Sequence, residues 1–368
     1  MYLLCAFPKS QILCYELIGV RKQNVLSYFI MNNILLDILI KDEKKSNRLL
    51  YSSGPYWDYK NRRTIHQLKK KNLKNFRNLY SGVGTSFCDN LVYDIRNEYN
   101  LKGRIISSFY RLPIIKKVYE DQLKVTSDHI NNYLKNLSIV YNNDERVNGL
   151  LNKYKFENTT EFGCIQKFSK NNHEYSTHYI SMADRVDILS KRFDFTKIKT
   201  YFEIGGGFGS NIHFLLTNFK NIKKVIYLDV VPNIYVGTEY LRYFYKENIK
   251  DYLSTRKSKE LSFENNEKLE IICIPPWEIE KIKVEIDHFH NAASFVEMPE
   301  NVVENYVKYL KKNKINQVSL ISYNGHDLKT TYKPELLNNF FDNKLDMEWH
   351  PNVIKDYNAK LLYLTSKN

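Results

Sequence analysis

The sequence predicts an α/β protein, with a largely parallel sheet in the second half of the chain and a mostly helical region before it. Two broad features and one local one lead there. After about residue 170, short apolar strands alternate with helical segments, the pattern of strand–helix–strand units. From residue 41 to about Val147 the chain is polar, poor in glycine and periodic over longer segments, which favours helices. Between an apolar strand and a helix then comes a glycine-rich turn, Gly205-Gly206-Gly207-Phe208-Gly209. The division drawn from these features is 1–170 and 171–368.

In the second half, strands are expected at Thr200–Ile204, Val225–Asp229, Leu269–Ile274, Val284–Asn291 and Gln317–Tyr323. Leu345–His350 and Lys360–Thr365 lie close together and read as a terminal hairpin. Among the helices, Asn301–Lys312 is clearest, because Val303, Tyr306, Val307 and Leu310 share one face. Seven strands in this order suit a Rossmann-like sheet. In the first half, Leu26, Ile30, Ile34 and Ile38 fall four apart and make one apolar helical face. That face packs on the core or on a second copy of the chain as a homodimer contact; a membrane-surface helix is the alternative. Tyr51–Trp57, which holds Ser52-Ser53-Gly54-Pro55, reads as a turn or loop, and the lysine-rich run Gln67–Asn78, with Arg77, as a solvated face, binding of an anionic glycan carrier or sugar diphosphate being the alternative.

Composition bounds the function. The chain has 368 residues, 43% hydrophobic and 14% aromatic, which fits a globular protein and excludes a disordered one. No run of about eighteen apolar residues suggests a membrane span. Five scattered cysteines without a CxxC pair exclude a disulfide scaffold and a cysteine-rich zinc site, and point to a reducing cytoplasm. Met1 to Ala6 is too short for an export signal. The net charge of +14 follows a Lys, Asn, Tyr and Ile bias along the whole chain, as AT-rich coding produces. It assigns no nucleic-acid partner by itself, and it leaves open a peripheral contact with anionic lipid.

The run Glu203-Ile204-Gly205-Gly206-Gly207-Phe208-Gly209-Ser210 follows a strand and opens a helix at Asn211. Glycines at 205, 207 and 209 let the backbone turn sharply and approach a ligand. Ser210 stands where a dinucleotide fingerprint needs its third glycine, which weakens NAD or FAD. An acidic residue before the glycines favours S-adenosylmethionine (SAM), whose ammonium seeks a carboxylate. Asp229, ending the next strand, is placed to accept the ribose hydroxyls, with Val230 beside it. Ile274-Pro275-Pro276-Trp277 lacks the Asn or Asp with which amine methyltransferases hold their target, and it follows the third strand, not the fourth. Pro275 and Trp277 are therefore expected beside the adenine, with a structural turn as the alternative.

Taken together, the Glu203–Gly209 loop, Asp229 and the segment Asp287-His288-Phe289-His290-Asn291-Ala292-Ala293-Ser294-Phe295-Val296-Glu297-Met298 resemble the sugar O-methyltransferases of bacterial glycan clusters. Further pieces of the likeness lie in residues 72–78 and in Glu161-Phe162-Gly163. The resemblance runs from about residue 65 to 325 and is densest after 160. It implies a seven-stranded Rossmann-like SAM methyltransferase domain over 171–368, with 1–170 serving acceptor binding or oligomerisation. It also implies a sugar or glycan acceptor, nucleotide-linked or lipid-linked, in polysaccharide or glycosylated-metabolite synthesis. Asn291 and Ala292 would border the cofactor. A wider likeness to small-molecule O-methyltransferases implies that Tyr179 and Met182, three apart on a helix, cover SAM; a core face is the alternative.

A sugar hydroxyl is a weak acid, so transfer to it needs a positioned base. Glu297, His290 and His288 are the candidates. Both histidines share one side of an extended strand, and Glu297 stands equally well as a helix-start carboxylate. No tight carboxylate cluster suggests a metal, and Asp287 faces away from His288 and His290. His326 and Asp327 are secondary candidates. The competing readings are a nucleic-acid methyltransferase and a non-catalytic SAM-binding assembly subunit.

Overall fold

Strand β1 (Thr200–Ile204) lies at the centre of the sheet, and the chain leaves it twice, once to each side. On one side follow β2 (Lys224–Leu228), β3 (Glu270–Ile274) and a two-residue edge strand, Ile249–Lys250. On the other follow β4 (Ile286–Ala292), β5 (Ile315–Ser322), then β7 (Lys360–Ser366) inserted before β6 (Leu345–Pro351). The order is thus 3-2-1-4-5-7-6, parallel from β3 to β5, with β7 antiparallel to both neighbours. This is a computed structural model, and it describes residues 34–69, 112–163, 167–170, 173–324, 333–353 and 360–367, with 73, 76, 77, 105, 108 and 109. His326 and Asp327 lie outside the described residues.

Each expected strand is present, with ends moved by one or two residues. The central strands are covered on both faces, so they read as continuous apolar runs with no alternation: all five residues of β3 are buried, as are the last four of β1 and of β2. Because β1 sits where the chain reverses direction across the sheet, the carboxyl ends of β1, β2 and β4 border one crevice.

The helices are α1 (residues 34–43), α2 (Gly54–Leu68), α3 (Pro113–Asn143), α4 (Glu145–Lys153), α5 (Thr177–Leu189), α6 (Ser210–Asn218), α7 (Asn233–Tyr245) and α8 (Glu300–Lys312). Three local expectations change. Leu35, Leu36 and Leu39 are the buried stripe of α1; of the expected face, Ile38 packs partly buried against the core and Ile34 is 49% exposed. Residues 26–33 of that apolar face lie outside the described residues. Gly54-Pro55 opens α2 and is not a loop, since proline in a first turn gives up an N–H that has no helical partner.

Arg77 is buried, not solvated. Its guanidinium donates to Thr159 O at 3.0 Å and Ser176 Oγ at 2.9 Å and lies over the Phe208 ring at 4.6 Å. Its backbone N–H donates to Gly163 O at 2.7 Å. Two pieces of the scattered resemblance, around Phe76-Arg77 and Gly163, therefore meet beneath the glycine turn. One apolar core runs from Leu35 to Leu364 across the boundary at residue 170. Polar ties cross it too: Asp42 accepts from Arg256 at 2.7 Å, and Leu50 O accepts from Asn305 at 3.3 Å.

Gly163 has φ +73° and an added Cβ would overlap the Phe76 ring, whereas Gly149 in α4 has open space around it. Gly163→Ala should cost about 1–3 kcal/mol, and Gly149→Ala should gain about 0.5–1 kcal/mol from helix propensity. Thermal or urea melts of the two variants check this; equal shifts would contradict the packing described.

Candidate active site

β1 ends in Glu203-Ile204 and runs straight into the glycine turn. Gly205, Gly207 and Gly209 have φ of +76°, +62° and +81°, so a side chain at any of them would strain the turn. Gly205 N–H donates to Leu228 O at 2.8 Å, which stitches the turn to β2. The Tyr227 phenol donates to Gly207 O at 2.6 Å; it has room to do so because Gly237 on α7 carries no Cβ.

Asp229 completes the turn from the end of β2. Its Oδ2 accepts from Gly207 N–H at 2.8 Å and its Oδ1 from Val230 N–H at 2.7 Å. Burial nevertheless raises its carboxyl to about 7, the two amides offsetting only part of the effect. Glu203 is more exceptional. Asn211 donates to its Oε1 at 3.0 Å, but the enclosed Oε2 has no hydrogen-bond partner among the described residues. Burial raises its carboxyl to about 8. A buried oxygen left unpaired is costly, and it marks a place where a ligand donor fits.

These groups face a cavity of about 310 Å³ at the carboxyl ends of β1, β2 and β4, within the size range of small-molecule sites. α5 supplies one wall through His178, Met182 and Arg185, spaced four and three apart and so on one helical face. His178 Nε2 pairs with Ser210 Oγ at 2.8 Å, and burial lowers its imidazole to about 3. Glu297 also lines the cavity. Tyr323 donates to its Oε1, and the Trp57 indole of α2 donates to its Oε2 at 2.7 Å. Burial raises the Glu297 carboxyl, against the lowering by those two donors and by Lys60, which also lines the cavity.

Among the sequence-predicted residues, the cavity brings together Met182, Glu203, Gly205, Gly206, Gly207, Asp229, Val230, His290, Ala292 and Glu297. Others stand behind it. Gly209 caps α6 against Leu241. Asn291 clamps the next loop, its amide donating to Ile204 O at 2.8 Å and its oxygen accepting from Phe295 N–H at 3.2 Å. Tyr179 belongs to the stripe next to the cavity face of α5, and its hydroxyl meets His213 Nδ1 at 2.7 Å and Tyr240 at 2.5 Å in the core. His288 is fully buried against Phe193, Phe195 and Tyr201. Pro275 and Trp277 do not line the cavity: the indole N–H of Trp277 donates to Tyr252 at 3.1 Å.

The structure adds Ser53, Trp57, Lys60, His178 and Arg185 to the lining. Of these only Arg185 and His178 had a sequence signal, their spacing from Met182. Asp287 accepts from Lys199 and Thr200 N–H outside the cavity, each at 2.9 Å. Among the described residues no three His, Cys, Asp or Glu side chains converge as metal ligands, and no helix is long and apolar enough to cross a membrane.

The strand order, with an antiparallel last strand between β5 and β6, is that of the Rossmann-like SAM-dependent methyltransferase fold. No protein-family model matches the chain, and no curated protein matches it in sequence. Solved structures resemble it weakly. Magnesium protoporphyrin IX methyltransferase from Synechocystis PCC 6803, with bound SAM, matches with TM-score 0.36 and 10% identity over 52% of this chain and 80% of that one. The mitomycin 7-O-methyltransferase MmcR matches with TM-score 0.34 and 12% identity over 52% of this chain, which spans only 57% of that one. A SAM dependent methyltransferase from Aquifex aeolicus matches with TM-score 0.34 and 14% identity, over 52% and 92% of the two chains. Likeness this distant says nothing of an acceptor.

The raised carboxyls make a pH prediction. With a pKa of about 8, Glu203 is mostly protonated in the free protein at pH 7, while a ligand ammonium pairs with the ionised form. Binding of S-adenosylhomocysteine at pH 7 should therefore release protons, and affinity should rise from about pH 6 to about pH 8. Asp229, raised to about 7, acts in the same direction. The free protein runs opposite, since stability from a raised carboxyl is lost as pH climbs through its folded pKa. Calorimetry in buffers of different ionisation enthalpy measures the protons; uptake, or none, would contradict the assignment.

Proposed function

We propose that this chain is a SAM-dependent O-methyltransferase whose acceptor is a sugar hydroxyl. The observation that carries the cofactor is the unpartnered Oε2 of Glu203, enclosed beside the glycine turn in the cavity that Asp229 also lines. Glu203 would hold the ammonium of SAM, Asp229 the ribose hydroxyls, and the backbone of Gly205–Gly207 the close approach between them. SAM, when bound, supplies a methyl group on a positively charged sulfur, open to in-line attack by an oxygen.

Glu297 is the proposed base. It lines the cavity, with one oxygen held by Tyr323 and the other by Trp57. Each oxygen keeps a further lone pair for an acceptor hydroxyl. Burial makes the ionised carboxylate a stronger proton acceptor than an exposed one. α2 contributes Trp57 and Lys60 to the lining, and the carboxylate that Trp57 holds is buried.

The sugar reading rests on the sequence resemblance and on a second polar cavity of about 340 Å³ that shares Ser53 with the first. Glu43, Asp58, Asn61 and Arg62 line it. The Asn61 amide nitrogen is buried there without a hydrogen-bond partner among the described residues, as suits a site for a ligand rich in hydroxyls. Against the nucleic-acid alternative, Ile274 stands before Pro275-Pro276-Trp277 where an amine methyltransferase would hold its target with Asn or Asp.

A screen with methyl-labelled SAM against nucleotide sugars, RNA and DNA tests the acceptor, and label in nucleic acid alone would overturn it. Glu297→Gln should slow single-turnover transfer by about 10²–10⁴-fold, with S-adenosylhomocysteine affinity nearly unchanged. The wild-type rate should climb with pH through the raised carboxyl pKa, and the variant should lose that dependence. A wild-type rate in Glu297→Gln would place the base elsewhere.

A further inference from the structure

Behind the cavity, the sheet carries a chain of polar side chains that the proposed chemistry does not use. In the register of β4 and β5, His288 stands beside Gln317 and His290 beside Ser319, and on the other side of β4 His290 stands beside Glu203 of β1. We propose that Gln317, His288 and Ser319 fix His290 as a hydrogen-bond acceptor. With Glu203, His290 then receives the ammonium of an α-amino acid whose carboxylate is taken by Arg185. The proposal rests on the reading that SAM or its product occupies this cavity, and it gives residues to the amino-acid end.

The direction of each hydrogen bond follows from the partners. Gln317 Oε1 can only accept, so the Nδ1 of His288, 3.3 Å away, carries the proton. The Nε2 of a neutral His288 is then an acceptor, and Ser319 Oγ at 2.7 Å donates its only hydrogen to it. Ser319 Oγ must therefore accept from His290 Nδ1 at 2.8 Å. That leaves the proton of His290 on Nδ1 and a bare lone pair on Nε2.

Burial keeps both rings neutral, as the logic requires: His288 is lowered to about 4, and His290 is pushed down by burial, by His288 and by Arg185. The relay is rooted rigidly, since the His288 ring stacks on Tyr201, with centroids 5.6 Å apart and planes 3° from parallel.

Three complementary groups consequently face one end of the cavity. Glu203 Oε2 is an acceptor without a protein partner among the described residues, and on the neighbouring strand His290, which lines the cavity, uses Nδ1 on Ser319 and keeps Nε2 as an acceptor. Arg185 comes from α5; its Nε is enclosed and no hydrogen bond to the guanidinium is formed among the described residues. Burial lowers its pKa, and Tyr363, Asp184 and Glu203 counter this. A carboxylate, a guanidinium and a neutral imidazole sum to no net charge, the complement of a zwitterion. The same surroundings disfavour His290 as the base for transfer. Taking a proton would set an imidazolium beside the guanidinium, away from water.

Equilibrium binding of four probes to the full chain tests this: S-adenosylhomocysteine, its deamino analogue, its decarboxy analogue, and methylthioadenosine, which lacks the amino-acid end. Arg185→Met should weaken the homocysteine and deamino compounds about tenfold or more and leave the other two within about twofold. Ser319→Ala should instead weaken the homocysteine and decarboxy compounds. ¹⁵N NMR of wild-type protein should show His290 with its proton on Nδ1, and Ser319→Ala should lose that signature.

Equal affinities of all four probes for the wild type, or a His290 proton on Nε2, would overturn the proposal, and these two readings decide it even where a variant fails to fold. Weakened transfer in His290→Asn with unchanged homocysteine binding would also overturn it, in favour of His290 as the base. Failure of the wild type to bind S-adenosylhomocysteine at all would sink the cofactor reading itself.

Discussion

Asp229 pins the site. A carboxylate buried at the end of β2 is expensive, and two backbone amides offset that cost, one from the glycine turn after β1 and one from Val230. The pairing fixes the distance between the ends of β1 and β2, and with it the width of the crevice. Glu203, two residues before the turn, is held by Asn211 on one oxygen only, so the crevice presents one anchored carboxylate and one that is half free. The Tyr227 phenol props the same turn from below, which explains a glycine at 237 in the middle of α7, a position no loop requires. Cofactor recognition follows from how the strand ends are tied together.

The helical region before the sheet belongs to the site and is more than an attachment. Trp57 reaches Glu297 across 240 residues of sequence, and Arg77 lies over Phe208 at the tip of the glycine turn. One contact orients the proposed base, and the other braces the turn that would meet the cofactor. Burial of the Glu297 carboxylate, to which Trp57 of α2 donates, raises its proton affinity, and the proposed acceptor cavity shares Ser53 with this one. The same docked helix thus lines both cavities.

Much of the sheet was legible in the sequence because its strands are buried on both faces. Continuous apolar runs such as Val225-Ile226-Tyr227-Leu228 announce themselves, and so does a turn that needs three positive-φ glycines. The helices were harder. On α1 periodicity offered the stripe of Ile34 and Ile38, but the buried residues are Leu35, Leu36 and Leu39, with Ile38 partly buried beside them. On α5 the pairing of Tyr179 with Met182 was a fair guess, but the true cavity face runs through His178, Met182 and Arg185, about one residue step around the helix. Arg77 read as one more basic residue in a lysine-rich run; only tertiary structure shows its guanidinium closing over an aromatic ring. Trp277, read as lying beside an adenine, stands outside the cavity lining and donates its indole N–H to Tyr252. Partners hundreds of residues apart leave no local trace.

The most direct test of the account is a crystal structure of the full chain with S-adenosylhomocysteine. The account predicts the ribose hydroxyls on Asp229, the adenosyl group against Gly205–Gly207, and the ammonium within hydrogen-bond distance of Glu203 Oε2. Density for the ligand anywhere else, or a Glu203 Oε2 that still lacks a partner with the ligand bound, would contradict it.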